Sequence, residues 1–185
     1  FYSILLYLCK RNSKSGIMKK ALILGDSNTW GYDPRGYLQR YDLTYKDYLN
    51  DLVAGWMFFE DSLNGRLLRD IKDETYGLAS IDLFCIMLGS NDLMHYYDVD
   101  QIVSFMHELI DSIDTRKVLI LCPPILQIDI FKAESIRLNE AYKKMNVHCI
   151  DCNPLNMSFD GVHLSEKGHK EFALKMSKYM KKEFC

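Results

Sequence analysis

Five short runs of apolar residues recur along the chain, and each run is continuous rather than alternating with polar positions. Such runs are typical of parallel strands, because helices cover both faces of a parallel sheet. The sequence therefore predicts five strands, at 21–24, 56–59, 83–88, 118–121 and 147–150.

Helical patterns lie between these runs. Apolar residues recur every three or four positions from 99 to 113, and Asp98 and Gln101 are placed as the N-cap and capping-box partner of that helix. Another helix is predicted after Ser165. Alternating strands and helices predict right-handed βαβ units, a parallel sheet covered by helices, and an active site at the carboxyl ends of the strands. Weaker helical patterns cover 43–52, 66–73 and 133–145.

The composition is that of an ordinary globular protein. A chain of 185 residues suits one domain, and no repeat or linker follows Met18, so residues 18–185 are predicted to form a single domain. The 23 basic residues do not outnumber the 25 acidic ones, and the formal net charge is -2. Nucleic acid and anionic membranes both demand clustered cations, so neither is predicted as a partner.

The first 17 residues differ from the rest of the chain. Positions 1–9 are apolar but far shorter than the ~20 residues of a membrane span, and they lack the charged start and cleavage site of a signal peptide. Met18 precedes two lysines and the first strand, as a start residue would. Residues 1–17 are therefore predicted to be upstream, leader or non-native sequence. The predicted location is the cytoplasm, or outside the cell if this segment is the remnant of a leader.

The six cysteines are too sparse for a disulfide scaffold, and we expect reduced thiols. Cys149 and Cys152 have CxxC spacing, but they end an apolar run instead of opening a helix, and no second pair completes a zinc site. Their predicted role is structural, and no metal site is predicted.

A serine follows the first predicted strand, in Gly25-Asp26-Ser27. A serine at a strand-to-helix turn is exposed at the sheet edge beside its own backbone N–H, a geometry similar to a nucleophile elbow although the GxSxG pattern is absent. The alternative is a serine that caps the first helix, which is a common use of this residue. The segment alone leaves both interpretations open.

Two other strand ends carry groups that suit an oxyanion hole. The third strand is followed by Asn91, whose side-chain amide can donate to an anion beyond the strand end. The second strand is followed by Gly65, where a ligand can approach the backbone N–H closely. Asn also favours turns, so each observation is weak by itself.

Asp160 and His163 lie in the loop after the last predicted strand. A carboxylate three residues before a histidine can accept the imidazole Nδ1–H and leave Nε2 free as a base. Three of the other histidines lie in helical patterns or beside a strand, where surface or structural roles are more frequent. His95 follows the third strand and is the one competitor, at the rim of the site.

Together these segments resemble the four sequence blocks of the SGNH (GDSL-type) hydrolases, in order and approximate spacing, from about Met18 to the final helix. GDSNTWG and LNGRLLRD are most similar to the small arylesterase and acylhydrolase members. One departure is Asn28, where the family name expects Leu; we interpret it as tolerated because that side chain is not part of the chemistry. The matching blocks are Gly25-Asp26-Ser27, Gly65, Gly89-Ser90-Asn91-Asp92 and Asp160-Gly161-Val162-His163.

The resemblance implies an α/β fold, a flavodoxin-like three-layer α/β/α sandwich with a five-stranded parallel sheet. It also implies a serine esterase in which Ser27 is the nucleophile, His163 the general base and then acid, and Asp160 the group that orients the imidazole. The implied oxyanion hole comprises the backbone N–H groups of Ser27 and Gly65 and the Asn91 amide. No metal or organic cofactor is implied.

The predicted substrate is a small ester of low charge. A chain this short has little room for a lid or a long acyl tunnel, so short acyl groups such as acetyl are expected. Nearby loops also carry Tyr32 and Phe159, for which packing is the simpler interpretation. No membrane span is predicted, and a homo-oligomer is left open. Residues predicted to contact substrate are Asp26, Trp30, Arg66, Asp92, Met94, His95 and Val162.

Other functions stay open on this sequence. A carbohydrate O-deacetylase, a lysophospholipase or a thioesterase would use the same triad, and only pocket shape separates them. A non-catalytic module that binds phosphate or flavin is a different class, since fold does not fix function. Its first loop would be expected to carry the GxxxxGK[ST] signature, which is absent here. It would also leave Asp160 and His163 without a role.

Overall fold

The computed structural model describes residues 17–71, 81–113 and 117–185, and its centre is a five-stranded parallel sheet. The strand order is β4-β1-β5-β6-β7, the 2-1-3-4-5 order of flavodoxin-like folds. Each of the five predicted strands is present, so the predicted fold class is confirmed. The strands are β1 (Lys19–Gly25), β2 (Tyr32–Asp33), β3 (Gln39–Arg40), β4 (Trp56–Ser62), β5 (Leu83–Met87), β6 (Val118–Leu121) and β7 (His148–Ile150).

The helices also follow the sequence pattern. Asp98 and Gln101 form the predicted capping box at the start of α4. Ser165 caps α6 by accepting a hydrogen bond from Gly168 N. The weak pattern at 66–73 corresponds to a 3₁₀ turn, Leu68–Ile71, and its last two positions lie outside the described residues. The helices are α1 (Ser27–Trp30), α2 (Tyr45–Leu52), α3 (Ser90–Met94), α4 (Val99–Ser112), α5 (Asp129–Lys143) and α6 (Glu166–Glu183).

Two hydrophobic cores lie on opposite faces of the sheet. Successive strand residues point to opposite faces, so Ile23 packs with α2 and α6 while its neighbour Leu24 packs with α4 and α5. The same division separates Cys85 from Ile86 in the next strand. Burial on both faces explains why the inner strands β5 and β6 are continuously apolar, whereas the edge strand β4 buries Trp56 and Phe58 and exposes Met57 and Phe59.

A small antiparallel hairpin, which the sequence did not predict, follows α1. Its strands β2 and β3 pair Tyr32 with Arg40. Gly31 turns the chain into the hairpin with φ of 87°, a left-handed conformation that favours glycine. The Gly31 carbonyl then accepts a hydrogen bond from Tyr41 N, 2.9 Å away, and this closes the hairpin. Because α1 begins where β1 ends, the hairpin lies at the carboxyl edge of the sheet.

Several predictions concern features away from this edge. The five cysteines at 85, 122, 149, 152 and 185 are free thiols, whereas Cys9 lies outside the described residues. His169 in α6 is buried, consistent with a structural role. Positions 1–16 also lie outside the described residues, so the upstream segment, the single domain at 18–185 and the cytoplasmic location stay predictions. Among the described helices, none has the length and apolarity required to cross a membrane.

Candidate active site

Ser27 stands at the first residue of α1, directly beyond β1. The N-cap of this helix is Asp26, whose Oδ1 accepts a hydrogen bond from Asn28 N at 2.9 Å. Because Asp26 does the capping, the Ser27 hydroxyl is not required for it. The Ser27 Oγ lies 2.9 Å from His163 Nε2, a distance at which proton transfer to a base can occur.

Asp160 holds the other nitrogen of the same imidazole. Its Oδ2 lies 2.6 Å from His163 Nδ1, and its Oδ1 accepts the backbone N–H groups of Val162 and His163, each at 3.1 Å. Burial alone would raise the pKa of Asp160, but these hydrogen bonds outweigh it and lower the pKa below its usual value. An ionised Asp160 favours the tautomer with hydrogen on Nδ1, which leaves Nε2 free to accept the Ser27 proton.

The Asn91 amide faces the same space from the start of α3. Its Nδ2 donates to Asp26 Oδ2 at 3.3 Å and to the Arg66 carbonyl at 3.2 Å. Both contacts are long, so a charged oxygen at a shorter distance would compete well for one of the two hydrogens. Gly65 has φ of 75°, and nothing lies within 4 Å of where a Cβ would project. Gly65 also lines the cleft, so a ligand there can approach it without meeting a side chain at this position.

Two buried carboxyl groups lie beneath these donors. Asp92 accepts the backbone N–H groups of Leu68 and Arg69, which fixes the segment that follows Gly65. Asp26 is 1% exposed and holds the Asn91 amide. Burial raises the pKa of both carboxyl groups, that of Asp26 to about 7. Asp26 therefore holds the Asn91 amide in place, and Asp92 holds the segment that follows Gly65.

The raised pKa of Asp26 predicts a specific dependence of stability on pH. The protonated carboxyl is favoured in the folded state, so its contribution is present below the unfolded-state pKa of about 4 and is lost as the pH rises through about 7. Urea unfolding of wild type and Asp26→Asn at pH 4.5 and 7.5 measures this. From pH 4.5 to 7.5 we expect the free energy of unfolding of the variant to rise by roughly 3 kcal/mol relative to that of the wild type, at about 1.4 kcal/mol per pKa unit. If the two proteins differ in free energy of unfolding by the same amount at both pH values, the raised pKa of Asp26 is wrong.

The predicted catalytic and oxyanion residues line one open cleft of about 440 Å³. Met94 and Val162, predicted to contact substrate, lie on its wall. The cleft also contains four residues that were not predicted as site residues. The full lining is Ser27, Tyr32, Pro34, Asn64, Gly65, Asn91, Met94, Phe159, Asp160, Val162 and His163.

Five residues predicted to contact substrate do not line this cleft. Asp26 and Asp92 lie below it, as described. The Arg66 guanidinium bonds to the carbonyls of Gly25 and Asp61 and to the Asp61 carboxylate, so it joins the segment to β1 and β4. Trp30 packs beside Tyr32 and under the Arg40 guanidinium, and His95 is the exposed C-cap of α3.

Asn28 has a larger structural role than its sequence position suggested. Its Oδ1 accepts the Leu164 N–H at 2.8 Å, and its Nδ2 donates to the Val162 carbonyl at 3.2 Å. These are the two residues on either side of His163. The side chain takes no part in the predicted chemistry, but it joins the turn that carries Ser27 to the loop that carries His163.

Comparison with known proteins gives one family match and several similar solved structures. A family model described as the GDSL-like lipase/acylhydrolase family matches residues 23–171. A solved carbohydrate acetylesterase family member from Sinorhizobium meliloti is 22% identical with a TM-score of 0.74, over 89% of this chain and 98% of that one. No curated protein sequence matches the chain.

Two other solved structures are similar to the same extent. An inhibitor-bound aryl esterase from M. smegmatis is 19% identical with a TM-score of 0.73, over 89% of this chain and 99% of that one. A catalytic mutant of an acetylxylan esterase from Geobacillus stearothermophilus is 20% identical with a TM-score of 0.69, over 89% of this chain and 95% of that one. At these identities the likeness concerns the fold.

Proposed function

Because this chain belongs to the GDSL-like lipase/acylhydrolase family, and is therefore an ester-cleaving hydrolase, we propose that it cleaves short-chain carboxylic esters through an acyl-serine intermediate. The observation that carries the proposal is a continuous chain of hydrogen-bond contacts. Ser27 Oγ lies 2.9 Å from His163 Nε2, and His163 Nδ1 lies 2.6 Å from Asp160 Oδ2. These three residues line a cleft with room for a small ester.

In the first half of the reaction, Ser27 Oγ attacks the ester carbonyl carbon while His163 Nε2 takes the hydroxyl proton. The carbonyl oxygen becomes an oxyanion, which would be held by the N–H groups of Ser27 and Gly65 and by the Asn91 amide. His163 then gives its proton to the leaving alcohol. The products of this half are the free alcohol and an acyl group bonded to Ser27.

In the second half, His163 removes a proton from water, and the water oxygen attacks the acyl-Ser27 carbonyl. Collapse of the second tetrahedral intermediate returns the proton from His163 to Ser27 Oγ and releases the carboxylic acid. Asp160 stays ionised throughout and stabilises the imidazolium that forms in each half. General-base assistance of this kind contributes about 10²- to 10⁴-fold to the rate.

The shape of the cleft supports a short acyl group. Its wall is formed by turns and short segments of the described chain, including the β2–β3 hairpin, and it is open to solvent rather than tunnel-like. An acetyl group is small against a cleft of about 440 Å³, and Met94 and Val162 offer it apolar surface. A long acyl chain would lie over the rim and gain little from burial.

A carbohydrate O-deacetylase is the second candidate, and Phe159 is the observation that favours it. This side chain lines the cleft yet is 78% exposed. An exposed aromatic ring at the mouth of a site offers an apolar surface on which the face of a sugar ring can pack. The same triad and oxyanion donors would then remove the acetyl group.

The substrate proposal predicts a steep dependence on acyl length. Aryl esters with two, four, six and eight acyl carbons should be hydrolysed with kcat/KM that falls from acetate onward, because a longer chain would have to bend past Met94 and Val162 before its carbonyl carbon could reach Ser27 Oγ. Steady-state kinetics of the purified protein measure this series. A flat or rising profile through eight or more carbons would contradict the short-chain assignment while leaving the esterase assignment intact.

The acyl-serine mechanism is tested separately by covalent labelling. A serine-reactive organophosphate should add its phosphoryl mass at residue 27 of the wild type and abolish hydrolysis of the aryl acetate. Intact-mass and peptide mass spectrometry identify the labelled residue, with Ser27→Ala as the matched control. A wild type that is neither labelled at Ser27 nor active on the ester would overturn the proposal.

A further inference from the structure

Tyr32 covers a side of the His163 imidazole that neither triad partner occupies. The two ring centroids are 4.7 Å apart, and the ring planes are inclined by 43°. Asp160 and Ser27 contact the two ring nitrogens, so Tyr32 completes the surroundings of an imidazole that is 15% exposed. Both rings also line the cleft, which places Tyr32 beside the reacting atoms.

The hairpin holds the Tyr32 ring in this position. Tyr32 pairs with Arg40 across the two short strands, and its ring packs beside Trp30, with centroids 6.4 Å apart. The next residue, Asp33, forms a bidentate ion pair with Arg35, which fixes the turn. A ring that already packs beside Trp30 loses less conformational entropy when it also packs against the imidazole.

The charge on the imidazole changes during the proposed reaction. His163 is neutral before it takes the Ser27 proton and cationic afterwards. The electron-rich face of an aromatic ring attracts a cation within about 6 Å of its centroid. The contact is therefore stronger in the transition state than in the resting enzyme, which is the condition for lowering the barrier.

We propose that Tyr32 is a positioning residue that acts through His163, its ring stabilising the imidazolium that forms when His163 accepts the Ser27 proton. The inference rests on the proposed function. It goes beyond the triad because it assigns a role in the reaction to the β2–β3 hairpin.

Other titratable groups near His163 do not obscure the effect of the Tyr32 ring on the imidazolium. Hydrogen bonds keep the pKa of Asp160 low, while burial lowers the pKa of His169 to about 4 and raises that of Tyr41. These three groups keep one charge state between about pH 5 and 8. Asp26, beneath Ser27, does titrate in that range, but it does so in the wild type and in variants at position 32 alike.

The test compares Tyr32→Phe, which keeps a ring, with Tyr32→Leu, which removes the ring but keeps an apolar side chain. NMR titration of the His163 imidazole and the pH profile of kcat/KM are measured for each. In the leucine variant the midpoint of the NMR titration and the acid limb of the kcat/KM profile should both move to lower pH, by about 0.5 to 1 unit. The value of kcat/KM itself should fall about three- to tenfold. The phenylalanine variant should match the wild type.

Phe159→Leu is the matched control, because Phe159 is a second aromatic ring of the cleft. It should change KM and leave the imidazole midpoint in place. If the ring only shields His163 from water, its removal would move the midpoint upward, since better solvation favours the charged form. An unchanged or raised midpoint in Tyr32→Leu would overturn the inference. The NMR titration does not require turnover, so its result is distinguishable from a failure to detect Ser27-dependent hydrolysis.

Discussion

Replacing Ser27 with alanine is expected to lower kcat on an aryl acetate by about 10⁴- to 10⁶-fold, with little change in KM. The variant removes the atom that would attack the carbonyl carbon in the proposed mechanism, and with it the hydroxyl that lies 2.9 Å from His163 Nε2. It leaves the cleft walls and the oxyanion donors in place, so substrate binding is retained. Hydrolysis is measured by release of the aryl alcohol, with thermal unfolding as the check on the fold.

The double variant Ser27→Ala/His163→Ala sharpens this test. In the proposed mechanism His163 is the base for Ser27, so removing both should cost about as much as removing either alone. The residual rate would come from the oxyanion donors and from binding. A loss of less than tenfold in Ser27→Ala, or losses that multiply in the double variant, would show that the nucleophile lies elsewhere.

Replacing Asn91 with alanine is expected to lower kcat by about 10²- to 10³-fold, the usual effect of losing one oxyanion donor. The loss should fall on kcat rather than KM, because the amide bonds Asp26 and the Arg66 carbonyl in the free enzyme and would bond the oxyanion only in the transition state. Steady-state kinetics on the same aryl acetate measure both constants.

Asn50→Ala is a matched control for the Asn91 variant. The Asn50 side chain also bonds backbone groups, because it accepts the Phe58 N–H and donates to the Phe58 carbonyl, but it joins α2 to β4. Its loss should lower the free energy of unfolding by about 1 to 3 kcal/mol and leave kcat unchanged. If Asn91→Ala also loses stability but keeps kcat within tenfold, the oxyanion role belongs to another group.

The sequence predicted the sheet well because burial on both faces leaves a local signature. The strands β5 and β6 are apolar at every position and β1 is apolar from Ala21 to Leu24, and the register of the parallel sheet then brings the ends of β1 and β5 to one edge. Gly25-Asp26-Ser27 and Gly89-Ser90-Asn91 directly follow those strands. Their arrival at the same edge was therefore predictable without knowledge of side-chain contacts.

The hairpin and the directions of several side chains were not predictable in this way. Strands β2 and β3 have two residues each, too few to show alternation. Arg66 and Asp92 flank the predicted oxyanion donors in sequence, yet both turn away from the cleft to bond backbone groups. Which way a side chain turns depends on unpaired backbone groups nearby, and these are known only once the tertiary structure is formed.

The bridge made by Asn28 also limits how this protein can change over evolutionary time. A leucine at that position, as in the family name, would leave the Val162 carbonyl and the buried Leu164 N–H without their partner, at about 1 to 3 kcal/mol for each group. The motif residue and the loop around His163 lie more than 130 positions apart in the chain. Because Asn28 binds backbone groups there, the side chains at 162 and 164 can be replaced without loss of these hydrogen bonds, and the constraint falls on position 28 itself.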